Sequence, residues 1–252
     1  MITVWGEGRG FRVIWLLEEM GLTYRLRSVD LLAGAENDPE FMAVNPGGFI
    51  PVIQDGDVTM VESIAIMEYL LARYGRDSRS EAPLAPAPHD PTFAIYQQFL
   101  HLGEAGLGAN IQVVVVSGFI APESERNNWG ARWALDQFHS RMRLVKRQLA
   151  CVSYMAGEAF TAADISVTYA LTLAQRAGGI VLDEAEKAYM ARTTGREGYR
   201  RALDACPATK GWLAQASGQT RLGGHSPGAG IKPPSQNCQM PLQESRFSPL
   251  TH

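Results

Sequence analysis

Cysteine is scarce. Cys151, Cys206 and Cys238 lie far apart, with no C-x-x-C pair, which excludes a disulfide-stapled scaffold and a zinc ribbon. The five histidines (His89, His101, His139, His225 and His252) show neither ligand spacing nor an evident nucleophile partner, so no metal is expected. Uninterrupted apolar runs are short. Runs such as Val13 to Leu17 and Val113 to Val116 fall far below the roughly 20 residues that span a bilayer. No Lys/Arg block occurs, and 23 basic residues against 26 acidic leave a net charge of −3, which gives nucleic acid or an anionic membrane no foothold. The N-terminus, Met1 to Trp5, lacks a charged leader before an apolar core; no secretory signal is expected, and a reducing cytoplasm is the expected compartment.

What is present is an ordinary globular composition, 46% hydrophobic and 19% charged over 252 residues, enough for two modest domains. Residues 2–5 read as a short buried strand. Val13, Leu16, Leu17 and Met20 then fall on one face of a helix over Phe11 to Met20, with Gly21 placed to end it. Tyr24 to Val29 alternates apolar and basic residues as a strand does, which completes a right-handed βαβ unit with parallel strands. A helix is expected over Pro39 to Val44, then strands at Pro51–Gln54 and Val58–Val61 joined through Asp55-Gly56, a strong hairpin signal. Ser63 to Tyr74 is the third helix.

Residues 76–91, with Pro83, Pro86, Pro88 and Pro91, read as a linker. From Thr92 to about residue 216 the pattern is helical, including a long helix with Trp129, Phe138, Met142, Val145 and Leu149 on one face and a central buried helix from Ala162 to Ala177. Val113–Val116 reads as the end of a buried helix. Residues 217–252 are rich in Gly, Pro, Ser and Gln and too poor in apolar residues to offset ordering entropy, so a disordered tail is expected. The domains are thus 1–75, the linker 76–91, the helical 92–216 and the tail.

Gly6-x-Gly8-x-Gly10 between a strand and a helix, with Asp30 about twenty residues on, invites a dinucleotide site. Two features oppose it: Phe11 occupies the place of the third glycine, and a hairpin and helices follow where a doubly wound fold needs repeated βα units.

Four segments in order carry a different likeness. They are Arg12-Val13-Ile14-Trp15-Leu16-Leu17-Glu18-Glu19 with Gly21-Leu22, Asn45-Pro46-Gly47-Gly48-Phe49-Ile50-Pro51, Glu62-Ser63-Ile64-Ala65-Ile66, and Phe160-Thr161-Ala162-Ala163-Asp164-Ile165. Together they resemble the glutathione S-transferase superfamily over roughly residues 1–216. The resemblance implies an α/β thioredoxin-like N-terminal domain followed by an all-α C-terminal domain, glutathione as co-substrate, a homodimer, and a detoxification role in which the glutathione thiolate adds to a small hydrophobic electrophile. It implies a cis Ile50–Pro51 bond that turns the Ile50 backbone toward the cysteinyl part of glutathione. Ser63 and the helix start behind it would hold the γ-glutamyl carboxylate, with Glu62 facing the ammonium; the alternative is a plain N-cap serine. Phe49 stands where many relatives carry a base for the glycyl carboxylate. The acceptor is expected near Phe11, Tyr96, Phe99, His101 and Ile111. Thr161-x-x-Asp164, with Phe160 and Ile165 as a hydrophobic staple, is structural.

The thiol activator is the departure. The first loop reads Glu7-Gly8-Arg9-Gly10-Phe11-Arg12, without the Tyr, Ser, Cys or Asn that family members use. Trp5 stands near the tyrosine position and Gly10 near the serine or cysteine position. What remains is backbone N–H donation around Gly10 and Phe11, with Arg9, and behind it Arg12, supplying positive charge. Two readings of these arginines stand: activators, or a solvated loop residue (Arg9) and a surface ion pair (Arg12). The rival functions are a non-catalytic glutathione- or hydrophobe-binding protein and a glutathione-dependent disulfide reductase.

Overall fold

The computed structural model describes residues 1–215 apart from 32, 77, 81 and 177. The expected tail at 217–252, residue 216 and the Ala177 end of the central helix lie outside the described residues.

Strand β1 (Ile2–Trp5) leads through a single 3-10 turn at Gly8–Gly10 into α1 (Phe11–Met20) and β2 (Tyr24–Arg27). Helix α2 (Pro39–Val44), the hairpin of β3 (Val52–Asp55) and β4 (Val58–Val61), and α3 (Ser63–Tyr74) follow. The sheet order is β2-β1-β3-β4, with β1 parallel to β2 and antiparallel to β3. Val4 sits opposite Leu26 on one side and Ile53 on the other, so the completely buried Val4 anchors the centre of the sheet. This is the thioredoxin-like arrangement expected, and its mixed sheet removes the dinucleotide reading of the glycines.

α1 buries more than one face. Trp15, Ile14 and Leu16 are all fully buried, because helix α9 (Glu197–Ala205) covers the side that faces away from the sheet. Glu19 receives a bidentate bond from Arg196, at 2.9 and 2.8 Å, and Glu18 receives Arg201 at 2.8 Å. These two acids therefore tie α1 to the helical half. Gly21 ends α1 in the left-handed region at φ 66°, as expected of a C-cap glycine.

The helical half consists of α4 (Phe93–His101), a π-helical segment at Leu102–Gly108, α5 (Ala109–Phe119), α6 (Trp129–Leu149), α7 (Ala162–Arg176), α8 (Glu184–Thr194), α9 and α10 (Pro207–Gln215). The helical stretch Phe93–Phe119 runs for 27 residues and contains an 18-residue window of mean hydropathy 1.3, long and apolar enough by length and composition to cross a membrane. Its apolar residues are interspersed with Gln, His, Glu and Asn, so no long uninterrupted run marks it in the sequence. Its Tyr96, Phe99, Leu100, Leu107 and Ile111 are buried in the protein's own core.

Two packing expectations fail. Val113 and Val116 are helical but exposed, with only Val114 of that stretch buried. Trp129, placed on the inner face of the long helix by spacing, is 72% exposed and stacks on Trp133. Local periodicity fixes which residues share a face, while the neighbours decide how far along the helix that face is covered.

At the start of α7 the Asp164 carboxylate accepts from the Thr161 backbone N–H at 2.8 Å, half of a capping box. It also accepts from the Met155 N–H at 2.8 Å and the Tyr189 hydroxyl at 3.1 Å. One buried carboxylate thereby joins α7, α8 and the loop before them, which agrees with the structural role expected of this motif.

Candidate active site

The first loop, the Ile50–Pro51 step and the start of α3 come together at one end of the sheet. Ile50–Pro51 is cis. The loop lies so close to it that a Cβ at Gly6 would fall 2.4 Å from Ile50 Cγ2, a separation that only glycine permits. At Gly10 a Cβ would lie 3.3 Å from the Pro51 ring, so the end of the first loop abuts the proline. Pro51 is buried, Ile50 half-buried and Phe49 41% exposed.

α3 begins at Ser63, with Glu62 as its N-cap residue. Glu62 is exposed and holds φ at 71°, a conformation that costs a non-glycine residue about 1–3 kcal/mol and clusters at functional sites. Ser63 is buried at the first helical position rather than at the N-cap, and its hydroxyl accepts from Arg12 Nη1 at 3.1 Å. The plain N-cap alternative is thereby removed.

Arg12 is not a surface residue. It is completely buried on α1, with Tyr169 of α7 presenting its ring face 4.1 Å from the guanidinium. Its ion partner is Glu104, in the π-helical segment, whose other carboxylate oxygen meets Arg9. Glu104 Oε2 meets Arg12 as a charge contact without the alignment of a hydrogen bond, and Arg12 Nε and Nη2 have no partner among the described residues. Burial lowers the Arg12 pKa and Glu104 opposes the shift; an arginine starts high enough to stay charged. Two guanidinium groups thus share one carboxylate, which leaves a net positive charge between the first loop and Ser63. Arg9, 34% exposed in its side chain, is the member that faces solvent.

Backbone donation at Gly10 and Phe11 is corrected. The Gly10 N–H donates to Glu7 O at 3.2 Å and the Phe11 N–H to Gly8 O, so the 3-10 turn already uses both amides. Trp5 is also removed from consideration: its Nε1 donates to Gln54 at 2.9 Å and its ring packs on Phe41. Cys206 is buried, and its thiol is pushed up to about 12 by burial and then by Glu7 and Glu18, so it is no nucleophile at neutral pH.

The five expected acceptor contacts do not assemble. Tyr96, Phe99 and Ile111 lie in the core at 2%, 1% and 0% exposure, and His101 is exposed against Glu68 at 3.3 Å. They share a long apolar helix, but its covered face turns them inward. Phe11 alone lines an apolar chamber, with Trp15, Tyr169, Tyr199, Trp212 and Leu213. α10 roofs that chamber, and the Glu7 carboxylate accepts from the Thr209 N–H at 2.8 Å, which fastens the roof to the first loop.

Residues 2–72 match the family model described as glutathione S-transferase, N-terminal domain. Glutathione S-transferase PM239X14 of Arabidopsis thaliana is 30% identical over 159 residues, covering 61% of this chain and 71% of its own. Glutathione S-transferase 3 of Schizosaccharomyces pombe is 29% identical over 181 residues, covering 68% and 72%. Among solved structures, the theta class enzyme of Xanthomonas axonopodis pv. citri with glutathione bound is 25% identical and superposes with a TM-score of 0.67 over 80% of this chain and 96% of that one. With the mixed sheet, the cis-proline beside the first loop and the helical half all in place, the chain belongs to the glutathione S-transferase superfamily.

Proposed function

We propose that the protein binds glutathione between the Ile50–Pro51 backbone and the start of α3 and adds its thiolate to a small hydrophobic electrophile. The carrying observation is the Arg9–Glu104–Arg12 cluster, which ends on the Ser63 hydroxyl. Because Arg12 donates to Ser63 Oγ, the serine's own proton is left to donate, which suits a γ-glutamyl carboxylate above the helix start. Glu62, exposed at the same helix start, suits the ammonium. Near the sulfur a hydroxyl is lacking, and the positive charge of Arg9 takes its place: a cation favours a thiolate over a thiol of pKa about 8.5. Homodimer assembly and a cytoplasmic detoxification role are proposed with this reading.

Phe49 weakens the grip on the glycyl carboxylate, since an exposed ring offers neither charge nor donor. In calorimetric titrations Phe49→Lys is expected to tighten glutathione binding about two- to five-fold, the worth of one exposed ion pair. An unchanged constant would move the glycyl end elsewhere. Absence of binding by the natural chain at millimolar glutathione would end the proposal, while tight binding without turnover would favour the non-catalytic rival.

A further inference from the structure

Arg12 is completely buried, yet its polar contacts pass through a single nitrogen. Nη1 donates to Ser63 Oγ at 3.1 Å and meets Glu104, while Nε and Nη2 have no partner among the described residues. A guanidinium is a rigid plane of donors, and contacts made at one corner leave that plane free to turn about it. Something else must fix the tilt. The face of the Tyr169 ring lies there, its centroid 4.1 Å from the central carbon of the Arg12 guanidinium. On the other edge stands Gly108, where a Cβ would fall 3.0 Å from Arg12 Nη2 and from Glu104 Oε2 alike. The π-helical segment therefore closes that edge with bare backbone.

Tyr169 is held firmly enough to act as such a stop. It belongs to α7, and its neighbours Thr168 and Ala170 are fully buried. Its hydroxyl makes no hydrogen bond among the described residues, so the contact with Arg12 is the work of the ring. Burial raises the phenol pKa, with Arg12 and Arg9 opposing the shift. The phenol is therefore neutral at neutral pH, and the cation meets the negative face of an uncharged ring. Contacts of this kind strengthen where water is excluded.

We infer that Tyr169 is a positioning residue for glutathione: its ring fixes the plane of Arg12, which aims Nη1 at the Ser63 hydroxyl and leaves that hydroxyl's proton for the γ-glutamyl carboxylate. The inference rests on the glutathione reading given above. Contact runs from α7 through α1 to the start of α3, so a residue of the helical half sets the grip of the thioredoxin-like half.

The test is calorimetry of glutathione with the full chain and with variants at 169, the thiolate absorbance of each complex being followed against pH. Tyr169→Phe keeps the ring and drops only the hydroxyl; it is expected to bind within about two-fold of the natural chain. Tyr169→Met fills similar space without a π face and is expected to bind about five-fold more weakly. Tyr169→Leu carries the same expectation and replaces the methionine variant if that chain does not fold. Arg9 is untouched in all of them, so the pH at which the bound thiol ionises is expected to stay where the natural complex has it. Methionine and leucine variants that bind as tightly as the natural chain, or a phenylalanine variant as weak as they are, would overturn the assignment. So would a loss of affinity that moves the thiol ionisation with it, the mark of a site that has collapsed as a whole. These outcomes leave glutathione binding by the natural chain standing; only its absence would end the underlying reading, and this assignment with it.

Discussion

Glu104→Gln is expected to destabilise the fold by about 3–5 kcal/mol in urea unfolding, the cost of leaving a buried charge without its partner. Arg12 is completely buried and Glu104 is its one ion partner among the described residues, so the amide leaves a guanidinium in the core beside a second one. Arg9→Gln removes a member whose side chain is a third exposed and should cost less than about 1 kcal/mol. The contrast carries the expectation: similar losses for the two variants would mean that Glu104 serves as packing rather than as the counter-charge of Arg12. The π-helical segment gives the same residue its place, since widening the helix at Leu102–Gly108 sets the Glu104 carboxylate against two arginines of the first loop and α1. Such insertions in helices recur at functional sites.

Asp164→Ala is the second large effect. The substitution leaves the buried Met155 and Thr161 N–H groups and the Tyr189 hydroxyl without their acceptor, and at about 1–3 kcal/mol for each unsatisfied group a loss of roughly 3 kcal/mol or more is expected. A pH signature separates this from simple loss of packing. Burial raises the Asp164 pKa from 3.8 to about 6, against the pull of its four donors. Between those values the folded chain holds a proton that the unfolded chain has released. The contribution of this group is therefore fully present below about pH 4, falls as pH rises toward 6, and levels off above it; the span is on the order of 2–3 kcal/mol. Unfolding free energies of the natural chain and the variant across that window should differ in slope, the natural chain being the steeper in decline. Parallel curves would show that Asp164 titrates alike in both states.

Much of the fold was legible because its signals are local. The 3.6-residue spacing of Val13, Leu16, Leu17 and Met20, the Asp55-Gly56 turn and the Gly21 stop each depend on a few neighbouring residues, and all three stand in the structure. The pairing of Ile50 with Pro51 and the start of α3 at Ser63 followed from an ordered set of motifs. The acceptor residues were not legible: Tyr96, Phe99 and Ile111 belong to the right helix, but their burial is decided by α6 and α7 packing on it from far along the chain. Val113, Val116 and Trp129 failed for the same reason in the opposite direction.

Glu104 went unnoticed although the sequence held a signal. It is the one acidic residue in the apolar stretch from Phe93 to Phe119, and a lone carboxylate on a helix bound for the core needs a cation. Arg12 was equally readable in principle. It lies on α1 among Phe11, Val13 and Ile14, so a helix buried on more than one face must carry it inside. Neither residue identifies the other from sequence alone, because ninety-two positions separate them and only the packing of the two halves joins them.

The central claim is that arginine charge replaces the missing hydroxyl in activating the glutathione thiol. Its most direct measurement is the ultraviolet absorbance of the thiolate in the protein–glutathione complex, titrated against pH for the natural chain and for Arg9→Ala. A bound thiol that ionises at least about one pH unit below its free value near 8.5, and returns toward that value in Arg9→Ala, is the result expected. A bound thiol that ionises where free glutathione does, with binding intact, would contradict it.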